Sequence, residues 1–321
     1  MRIITGQARV AGVFGWPAGH SRSPQLHNHW LARYGIDGAY VPLPVPPGQF
    51  EAALRGVMAA GFRGANVTIP HKEAAFALCD ERDAFAARAG AVNTLVFEAG
   101  RIIGSNTDGF GFMANLAAHA PHWRPGPVVV LGAGGAARAI AVALIEAGVP
   151  ELVVVNRNAE RAEALVAALV ASLPATLSVT LPATLGAALP ATMGATLSAT
   201  LPAALPAALP AALGVVLRVA AAPPLAGATL LVNTTSLGMA GQPPLEIDLS
   251  PLAPHAVVAD AVYVPRETAL LAAARARGLT VVPGLGMLLH QARPGFRLWF
   301  GVDPVVDEAL HDAVAAGLPC S

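Results

Sequence analysis

The sequence predicts an α/β protein of two domains, each built on a mostly parallel sheet. The chain has 321 residues, and roughly 150 residues per domain is a usual size. Short apolar runs alternate with helical patterns from the N-terminus onward, as in layered α/β folds. Hydrophobic residues make up 55% of the chain, which is ample material for two buried cores.

Charge and cysteine content exclude several classes of protein. Charged residues make up 12% of the chain and the formal net charge is zero, so the basic surface that nucleic-acid binding needs is missing. Cys79 and Cys320 lie far apart and match no metal or redox spacing. The N-terminus lacks the apolar core of a signal peptide. We expect a cytoplasmic monomer or homodimer with no metal, no nucleic-acid partner and no membrane span.

The first domain is expected to cover residues 1–115. Its predicted elements are a strand at 10–15, a helix at 23–35, extended chain at 39–45, a helix at 48–61 and a strand at 64–70 that Pro70 stops. Ser23 followed by proline is typical of a helix N-cap. Ser21 and Ser23 would then lie beside free backbone N–H groups, where a carboxylate binds well. For Ser23 alone, a cap without a ligand is the plainer interpretation.

The second domain is expected to cover 116–285, followed by C-terminal helices at 286–321. It opens with "GPVVVLGAGGAARAIAVALIEAG", a strand, a glycine turn and a helix. Further strands are predicted at 151–157, 228–235, 256–263 and 279–284. Gly132, Gly134 and Ala137 fit the G-x-G-x-x-[GA] template, and Gly135 and Ala136 open the helix. This context predicts dinucleotide binding at the helix N-terminus, although a tight turn without a ligand has the same pattern.

The end of the next strand selects the cofactor. An NAD enzyme usually places Asp or Glu there to bind the ribose hydroxyl. This chain has Asn156 and Arg157, and Arg161 follows one helical turn later. Guanidinium groups suit a 2′-phosphate, which a carboxylate would repel. The sequence therefore predicts NADP(H), although a single solvated arginine would be unremarkable.

A low-complexity insert of alanine, leucine, proline and threonine occupies about 171–213. Charged residues are absent from Ala164 to Leu217, and prolines recur at 174, 182, 190, 202, 206 and 210. A membrane span is excluded because these prolines remove backbone donors that lipid cannot replace. The repeat is also too short for a solenoid. We interpret it as an expanded loop at the edge of the sheet and assign it no function.

Polar residues follow several strands of the first domain. They are Thr68, Lys72, Asn93, Asn106, Thr107 and Asp108. Strand ends in open α/β sheets face the ligand crevice, and this set suits a small polyhydroxylated acid. Lys72 is the only lysine among 20 basic side chains. Lysine can both polarise a carbonyl oxygen and donate a proton to it, whereas arginine does not deprotonate in proteins.

At this point the sequence resembles the shikimate dehydrogenase family. "GWPAGHSRSP", "NVTIPHK", "AVNTL", "SNTDGFGF", "GAGGAAR", "NTTSLGM" and "GMLLHQA" occur in the family's order, over essentially the whole chain except the insert. The resemblance implies an N-terminal α/β substrate domain and a Rossmann-type NADP-binding domain, with the C-terminal helices packing back on the first domain. It also implies NADPH-dependent reduction of 3-dehydroshikimate, on the route to chorismate and the aromatic amino acids.

The resemblance further implies the roles of individual residues. Lys72 and Asp108 match the catalytic pair. The positions that match the substrate site are Ser21, Ser23, Thr68, Lys72, Asn93, Asp108, Tyr263 and Gln291. Those that match the cofactor site are Gly132, Gly134, Gly135, Ala136, Asn156, Arg157, Arg161, Asn233, Thr234, Gly284 and Met287. The sequence departs from the family's pattern at two positions. Asn158 stands where threonine is commoner, and Arg22 stands where an apolar residue is more usual.

Alternatives remain open at this stage. Lys72 either transfers the proton or stays charged and only polarises the carbonyl. A quinate or quinate/shikimate dehydrogenase would have the same fold. A non-catalytic NADP-binding regulatory module is a different class, which an intact Lys72–Asp108 pair disfavours. A methylene-tetrahydrofolate type of dehydrogenase would need a pterin slot in place of the serines.

Overall fold

The computed structural model describes residues 4–173, 178–180 and 214–319. The chain divides into two compact units of α/β class, Met1–Asn115 with Leu285–Leu318, and Leu116–Gly284 with Pro319–Ser321. In the part that the structure describes, every helix is too short or too polar to cross a bilayer. Each unit has its own sheet and its own buried core.

The described residues of the first unit form six strands. In chain order its elements are β1 (Arg9–Gly15), α1 (Ser23–Arg33), β2 (Gly38–Pro44), α2 (Phe50–Ala59), β3 (Gly64–Val67), α3 (Lys72–Leu78), β4 (Glu81–Arg82), α4 (Ala84–Ala89), β5 (Thr94–Glu98), β6 (Arg101–Ser105) and α5 (Asp108–His119). The strand order is β2-β1-β3-β5-β6-β4. Phe14, Leu54 and Leu95 lie in a core cluster of this unit.

This first sheet is mostly parallel, as expected, because among its described strands β5 alone runs against the others. β1 pairs in parallel with β2 and β3, but β5 runs antiparallel to both β3 and β6. Ala99 and Gly100 join β5 to β6 with φ values of 50° and 76°. Positive φ at both positions is what a two-residue hairpin turn requires, and a hairpin makes its strands antiparallel.

Strand β3 is shorter than predicted. It ends at Val67 rather than at Pro70. The reason is a turn, because the His71 N–H bonds back to the Thr68 carbonyl at 2.9 Å. That turn leads directly into α3, which begins at Lys72.

The second unit has a parallel sheet. Its elements are β7 (Val128–Leu131), α6 (Gly135–Glu146), β8 (Glu151–Val155), α7 (Ala159–Ser172), β9 (Ser178–Thr180), β10 (Gly214–Ala220), β11 (Leu230–Asn233), β12 (Val257–Asp260), α8 (Ala269–Ala276) and β13 (Thr280–Val282). The strand order is β13-β12-β11-β7-β8-β10-β9, with all pairs parallel. The order in which the chain adds strands reverses at β7, with β8 on one side and β11 on the other. Ligands bind outside the carboxyl ends of the strands at such a point.

Two features of this sheet concern the predicted insert. Of its described residues, 171–173 form the end of α7 and Ser178–Thr180 form the edge strand β9 against β10, and the rest lies outside the described residues. β10 itself was missed, because "GVVLRVA" follows the repeat without a turn signal. The final helices are α9 (Gly284–Phe300) and α10 (Glu308–Ala315).

Candidate active site

Lys72 and Asp108 form an ion pair in the first unit. Each is the first residue of a helix that follows a strand, α3 after β3 and α5 after β6. The Lys72 Nζ lies 2.5 Å from Asp108 Oδ2, and the side chains are 17% and 6% exposed. The structure thus brings together the two residues predicted to be catalytic, in a place largely sheltered from solvent.

Asn93 fixes the orientation of the Asp108 carboxylate. Its Nδ2 donates to Asp108 Oδ1 at 2.7 Å and to Gln291 Oε1 at 2.9 Å. Its Oδ1 accepts from the Thr107 backbone N–H at 2.9 Å. The Asp108 N–H in turn donates to Asn106 Oδ1 at 3.0 Å. Both carboxylate oxygens are therefore held, one by the lysine and the other by an amide.

Gln291 reaches this cluster because α5 and α9 approach each other closely. The Thr107 hydroxyl donates to the Gln291 backbone carbonyl at 2.8 Å. A Cβ on Gly111 would lie 2.5 Å from the Gln291 Cβ and 2.7 Å from the Met287 carbonyl oxygen. Only glycine at 111 allows this approach, so the "GFGF" segment positions the glutamine as well as the aspartate.

The two serines lie at the N-terminus of α1, but Ser23 is not its cap. The helix begins at Ser23, Arg22 occupies the N-cap without a side-chain cap bond, and Pro24 follows inside the first turn. The Ser21 hydroxyl accepts from the Ser23 N–H at 3.3 Å, so Ser21 satisfies the end that Ser23 was expected to cap. The Arg22 guanidinium bonds to Gln25 Oε1 and to the Gly317 carbonyl.

A buried polar chain links Tyr40 to Asn93, and the sequence did not reveal it. The Tyr40 hydroxyl donates to Asn66 Oδ1 at 2.6 Å. Asn66 Nδ2 donates to the Asn93 carbonyl and to Thr94 Oγ1, both at 3.1 Å. Burial raises the pKa of Tyr40 well above its usual value. Asn66 belongs to the "NVT" motif, whereas nothing in the sequence singles out Tyr40.

Thr68 lies beside this cluster, directly after β3. Its side chain is partly buried, and its methyl group fills the space where Gly15 has no side chain. Its backbone N–H donates to the Phe14 carbonyl at 2.9 Å. Thr68 is therefore fixed by its backbone, at the start of the turn that leads to Lys72.

The glycine turn of the second unit has the geometry of a phosphate cradle. Gly132 has a φ of +110°, and its N–H donates to the Val155 carbonyl at 2.8 Å. Gly134 is the N-cap of α6, and a Cβ there would meet no atom within 4 Å. Ala137 is fully buried, as close packing of helix on strand requires. Open space at a 12-residue helix N-terminus, where Gly135 and Ala136 begin the first turn, fits a dinucleotide pyrophosphate.

A cavity of about 770 Å³ lies in the second unit, at the ends of β7 and β8. Asn156 and Arg157 line it, as do Thr235, Ser236 and Leu237. Arg157 and Arg161 are both exposed, and Arg161 lies in the first turn of α7, where its N–H donates to Asn158 Oδ1 at 2.9 Å. Of the two predicted arginines, Arg157 therefore lines this cavity, whereas Arg161 is not among its lining residues. The loop 235–237 was missed as a lining, although "NTTSLGM" contains it.

The remaining predicted residues divide between the units. Thr234 donates to the Leu131 carbonyl at 2.7 Å and occupies the space beside Gly132. Gly284 packs directly on the carbonyls of Ala261 and Val262. Tyr263, half-buried after β12, also belongs to the second unit, whereas Met287 lies on the α9 segment of the first.

Asn233 differs from these because all of its polar atoms are engaged within the unit. It is fully buried, and its Nδ2 donates to Asp260 Oδ1 at 2.9 Å. Asp260 also accepts from the Val262 N–H and the Thr268 hydroxyl. Burial raises the pKa of Asp260 to about 6, against the opposing effect of these hydrogen bonds. Asn233 therefore supports the loop rather than offering a free group to a ligand.

The first unit thus presents a cation, a carboxylate and two amides around one point. Such a set can hold ring hydroxyls and supply a proton to an oxygen that gains negative charge. Among the described residues, no three His, Cys, Asp or Glu side chains are grouped so as to hold a metal ion.

Three segments of the chain match descriptions of one protein family. Residues 13–95 match the family description "Shikimate dehydrogenase substrate binding domain". Residues 115–187 match "Shikimate / quinate 5-dehydrogenase", and 284–308 match "Shikimate 5'-dehydrogenase C-terminal domain". A protein of Rhodospirillum rubrum named shikimate dehydrogenase (NADP(+)) is 55% identical over 315 residues, covering 97% of this chain and 99% of that protein.

Solved structures show the same likeness. Shikimate 5-dehydrogenase from Thermus thermophilus, in complex with NADP(H) and shikimate, is 34% identical with a TM-score of 0.74, covering 95% of this chain and 98% of that chain. Quinate dehydrogenase from Corynebacterium glutamicum, in complex with NAD, is 30% identical with a TM-score of 0.76 and the same two coverages.

Proposed function

The chain belongs to the shikimate dehydrogenase family, and we propose that it catalyses the reversible NADPH-dependent reduction of 3-dehydroshikimate to shikimate. It is an oxidoreductase of aromatic amino acid biosynthesis. The observation that carries the proposal is the Lys72–Asp108 pair, 2.5 Å apart and held by Asn93. A binding module without catalysis would have no use for a sheltered lysine in a chain otherwise supplied with arginine.

Substrate recognition is proposed to use two sets of groups in the first unit. Ser21 and Ser23, at the N-terminus of α1, bind the carboxylate, which the helix dipole also favours. Thr68, Asn93 and Gln291 bind the ring hydroxyls. Tyr263 of the second unit contributes near the carboxylate, as the resemblance to the family implies.

Lys72 is proposed to hold the carbonyl oxygen of the substrate and to supply its proton. NADPH, when bound, supplies the hydride for the reduction. As the carbonyl oxygen gains negative charge, the Lys72 ammonium stabilises it and donates a proton. Asp108 keeps the ammonium directed at that oxygen, and Asn93 keeps the carboxylate from rotating. In the reverse direction the same lysine accepts the proton of the hydroxyl.

The second unit is proposed to hold NADP(H). The open turn at Gly132, Gly134, Gly135 and Ala136 suits the pyrophosphate. Asn156, Arg157 and Arg161 suit the 2′-phosphate, for which guanidinium forks are better ligands than carboxylates. Asn233 and Thr234 would line the nicotinamide end with Gly284 and Met287.

Each of the two predicted domains is proposed to bind one of the two ligands. Residues 1–115 with 286–321 are proposed to bind substrate, and 116–285 to bind the cofactor. The partners are then small molecules only, and the protein works in the cytoplasm as a monomer or a homodimer. Sedimentation velocity distinguishes these two states.

The test is an absorbance assay at the reduced-nicotinamide band with shikimate and NADP⁺. We expect turnover, with a higher kcat/KM for shikimate than for quinate and for NADP⁺ than for NAD⁺. A preference for quinate would assign the chain to the quinate branch of the family. Binding of NADP⁺ without turnover of either acid would instead support a regulatory module.

A further inference from the structure

Asp260 is a buried carboxylate for which the proposed reaction has no use. It ends β12 and is 3% exposed. Its neighbours are neutral hydrogen-bond donors, namely Asn233 from β11, the Val262 N–H just after β12 and Thr268 at the start of α8. Burying a charged carboxylate is costly, so its presence calls for a reason.

The hydrogen bonds of Asp260 lead into the cavity of the second unit. Asp260 Oδ1 accepts from Asn233 Nδ2 at 2.9 Å, which turns Asn233 Oδ1 toward the following loop. That oxygen accepts from the Thr235 N–H at 3.0 Å and from the Thr235 hydroxyl at 2.7 Å. Asn233 Nδ2 also donates to the Leu237 carbonyl at 3.2 Å, and the Leu237 N–H donates to Thr235 Oγ1 at 3.1 Å.

These bonds fix a loop that borders the glycine turn. Thr235, Ser236 and Leu237 line the cavity together with Asn156 and Arg157. Asn233 thus holds the loop at Thr235 and at Leu237, and the Asp260 carboxylate in turn holds the Asn233 amide. Because a carboxylate forms stronger hydrogen bonds than a neutral acceptor, the charged form should hold the loop most firmly.

We propose that Asp260 is a positioning residue for cofactor binding, which acts through Asn233 to hold the 235–237 loop in the shape that receives NADP(H). This inference rests on the proposed cofactor site but not on the identity of the substrate.

The position also makes cofactor affinity depend on pH. Burial raises the pKa of Asp260 to about 6, and no charged side chain of the described residues contributes to that shift. The groups that hydrogen-bond to the carboxylate are the Asn233 amide, the Val262 N–H and the Thr268 hydroxyl. Above about pH 6 the carboxylate is charged and accepts a strong hydrogen bond from Asn233. Below about pH 6 the protonated carboxyl group accepts this hydrogen bond more weakly, so the 235–237 loop is held less firmly.

The test compares wild type, Asp260→Asn and the surface control Asp312→Asn by calorimetric titration with NADP⁺ in the absence of shikimate. The side chain introduced in Asp260→Asn keeps an oxygen that can accept from Asn233, and it places its NH₂ group against the Thr268 hydroxyl. We expect the Kd for NADP⁺ of Asp260→Asn to exceed that of wild type about fivefold near pH 8, because a charged hydrogen-bond acceptor has become neutral. The ratio of the Kd of the variant to that of wild type should approach 1 near pH 5. The same ratio for Asp312→Asn should stay at 1 at every pH.

The ratio is the informative quantity because the 2′-phosphate itself titrates near pH 6, and this contribution cancels between variants. A ratio that stays constant with pH, or that equals 1 at pH 8, would overturn the inference. Should Asp260→Asn fail to fold, Thr268→Val removes one donor to the carboxylate. The pH midpoint of its Kd for NADP⁺ should then lie above the wild-type midpoint, whereas Thr268→Ser should keep the wild-type midpoint.

Failure of the proposed function gives a different pattern. If NADP⁺ binds with the expected pH-dependent ratio while shikimate is not turned over, the inference stands and the assigned reaction is wrong. If NADP⁺ does not bind to wild type at any pH, the proposed cofactor and this inference both fall.

Discussion

The close crossing of α5 and α9 predicts a large effect for a single added methyl group. In Gly111→Ala, the new Cβ would lie 2.5 Å from the Gln291 Cβ, 2.7 Å from the Met287 oxygen and 2.8 Å from the Gln291 nitrogen. Ordinary contact begins at 3.4 Å, so α9 must withdraw by about 0.6–0.9 Å, since interiors are close-packed. The bond from Asn93 Nδ2 to Gln291 Oε1, now 2.9 Å, would lengthen beyond hydrogen-bonding range.

Two measurements follow from this displacement. Overpacking should lower the free energy of unfolding by about 1–3 kcal/mol. Loss of one hydrogen-bonding group for the substrate ring should raise the KM for shikimate about tenfold. Both are accessible by chemical denaturation and by the reduced-nicotinamide absorbance assay.

The matched control is Gly56→Ala in α2. There a Cβ meets no atom within 4 Å, so alanine should stabilise the helix by about 0.5–1 kcal/mol and leave the kinetics alone. If Gly111→Ala kept wild-type stability and a wild-type KM for shikimate, the account of how Gln291 is positioned would be refuted.

Three further predictions concern charged groups. Lys72→Arg keeps the charge but cannot release a proton, so kcat should fall about a hundredfold or more; near-normal kcat would exclude proton transfer by this residue. Arg157→Ala with Arg161→Ala should raise the Kd for NADP⁺ about a hundredfold and leave that for NAD⁺ unchanged, since two charge-assisted bonds to the 2′-phosphate are lost; equal loss for both cofactors would contradict the assignment. Because the pKa of Asp260 is raised on folding, its contribution to stability is complete below about pH 4 and is lost as pH rises through about 6, by up to about 3 kcal/mol. Urea unfolding of Asp260→Asn should lack this decline; an unchanged pH profile would show that another group causes it.

The sequence predicted those parts of the molecule that depend on local chemistry. The strand, glycine turn and helix around Gly132 follow from backbone requirements that only glycine meets, and the structure has them as β7 and α6. Lys72 and Asp108 came from short motifs at strand ends, and parallel strands bring such ends to one edge. Their pairing in the structure follows from that geometry.

What the sequence could not predict depends on long-range packing. The bond from Asn93 to Gln291 joins residues 198 positions apart, and it exists because two helices cross at glycine. Tyr40 is an ordinary strand residue until its hydroxyl meets Asn66. The Ser23 cap was wrong because a neighbouring hydroxyl, that of Ser21, served the backbone instead. Strand β10 was missed because its signal follows an uncharged repeat directly.

The central claim is that the Lys72 side chain acts on the reacting oxygen, and Lys72→Met tests it most directly. Turnover of shikimate with NADP⁺ and the shikimate Kd should be measured on the same preparation, the latter by calorimetry. The account predicts a fall in kcat of about three orders of magnitude, with a change in Kd of less than about tenfold. A variant that turned over shikimate at more than about a tenth of the wild-type rate would contradict it.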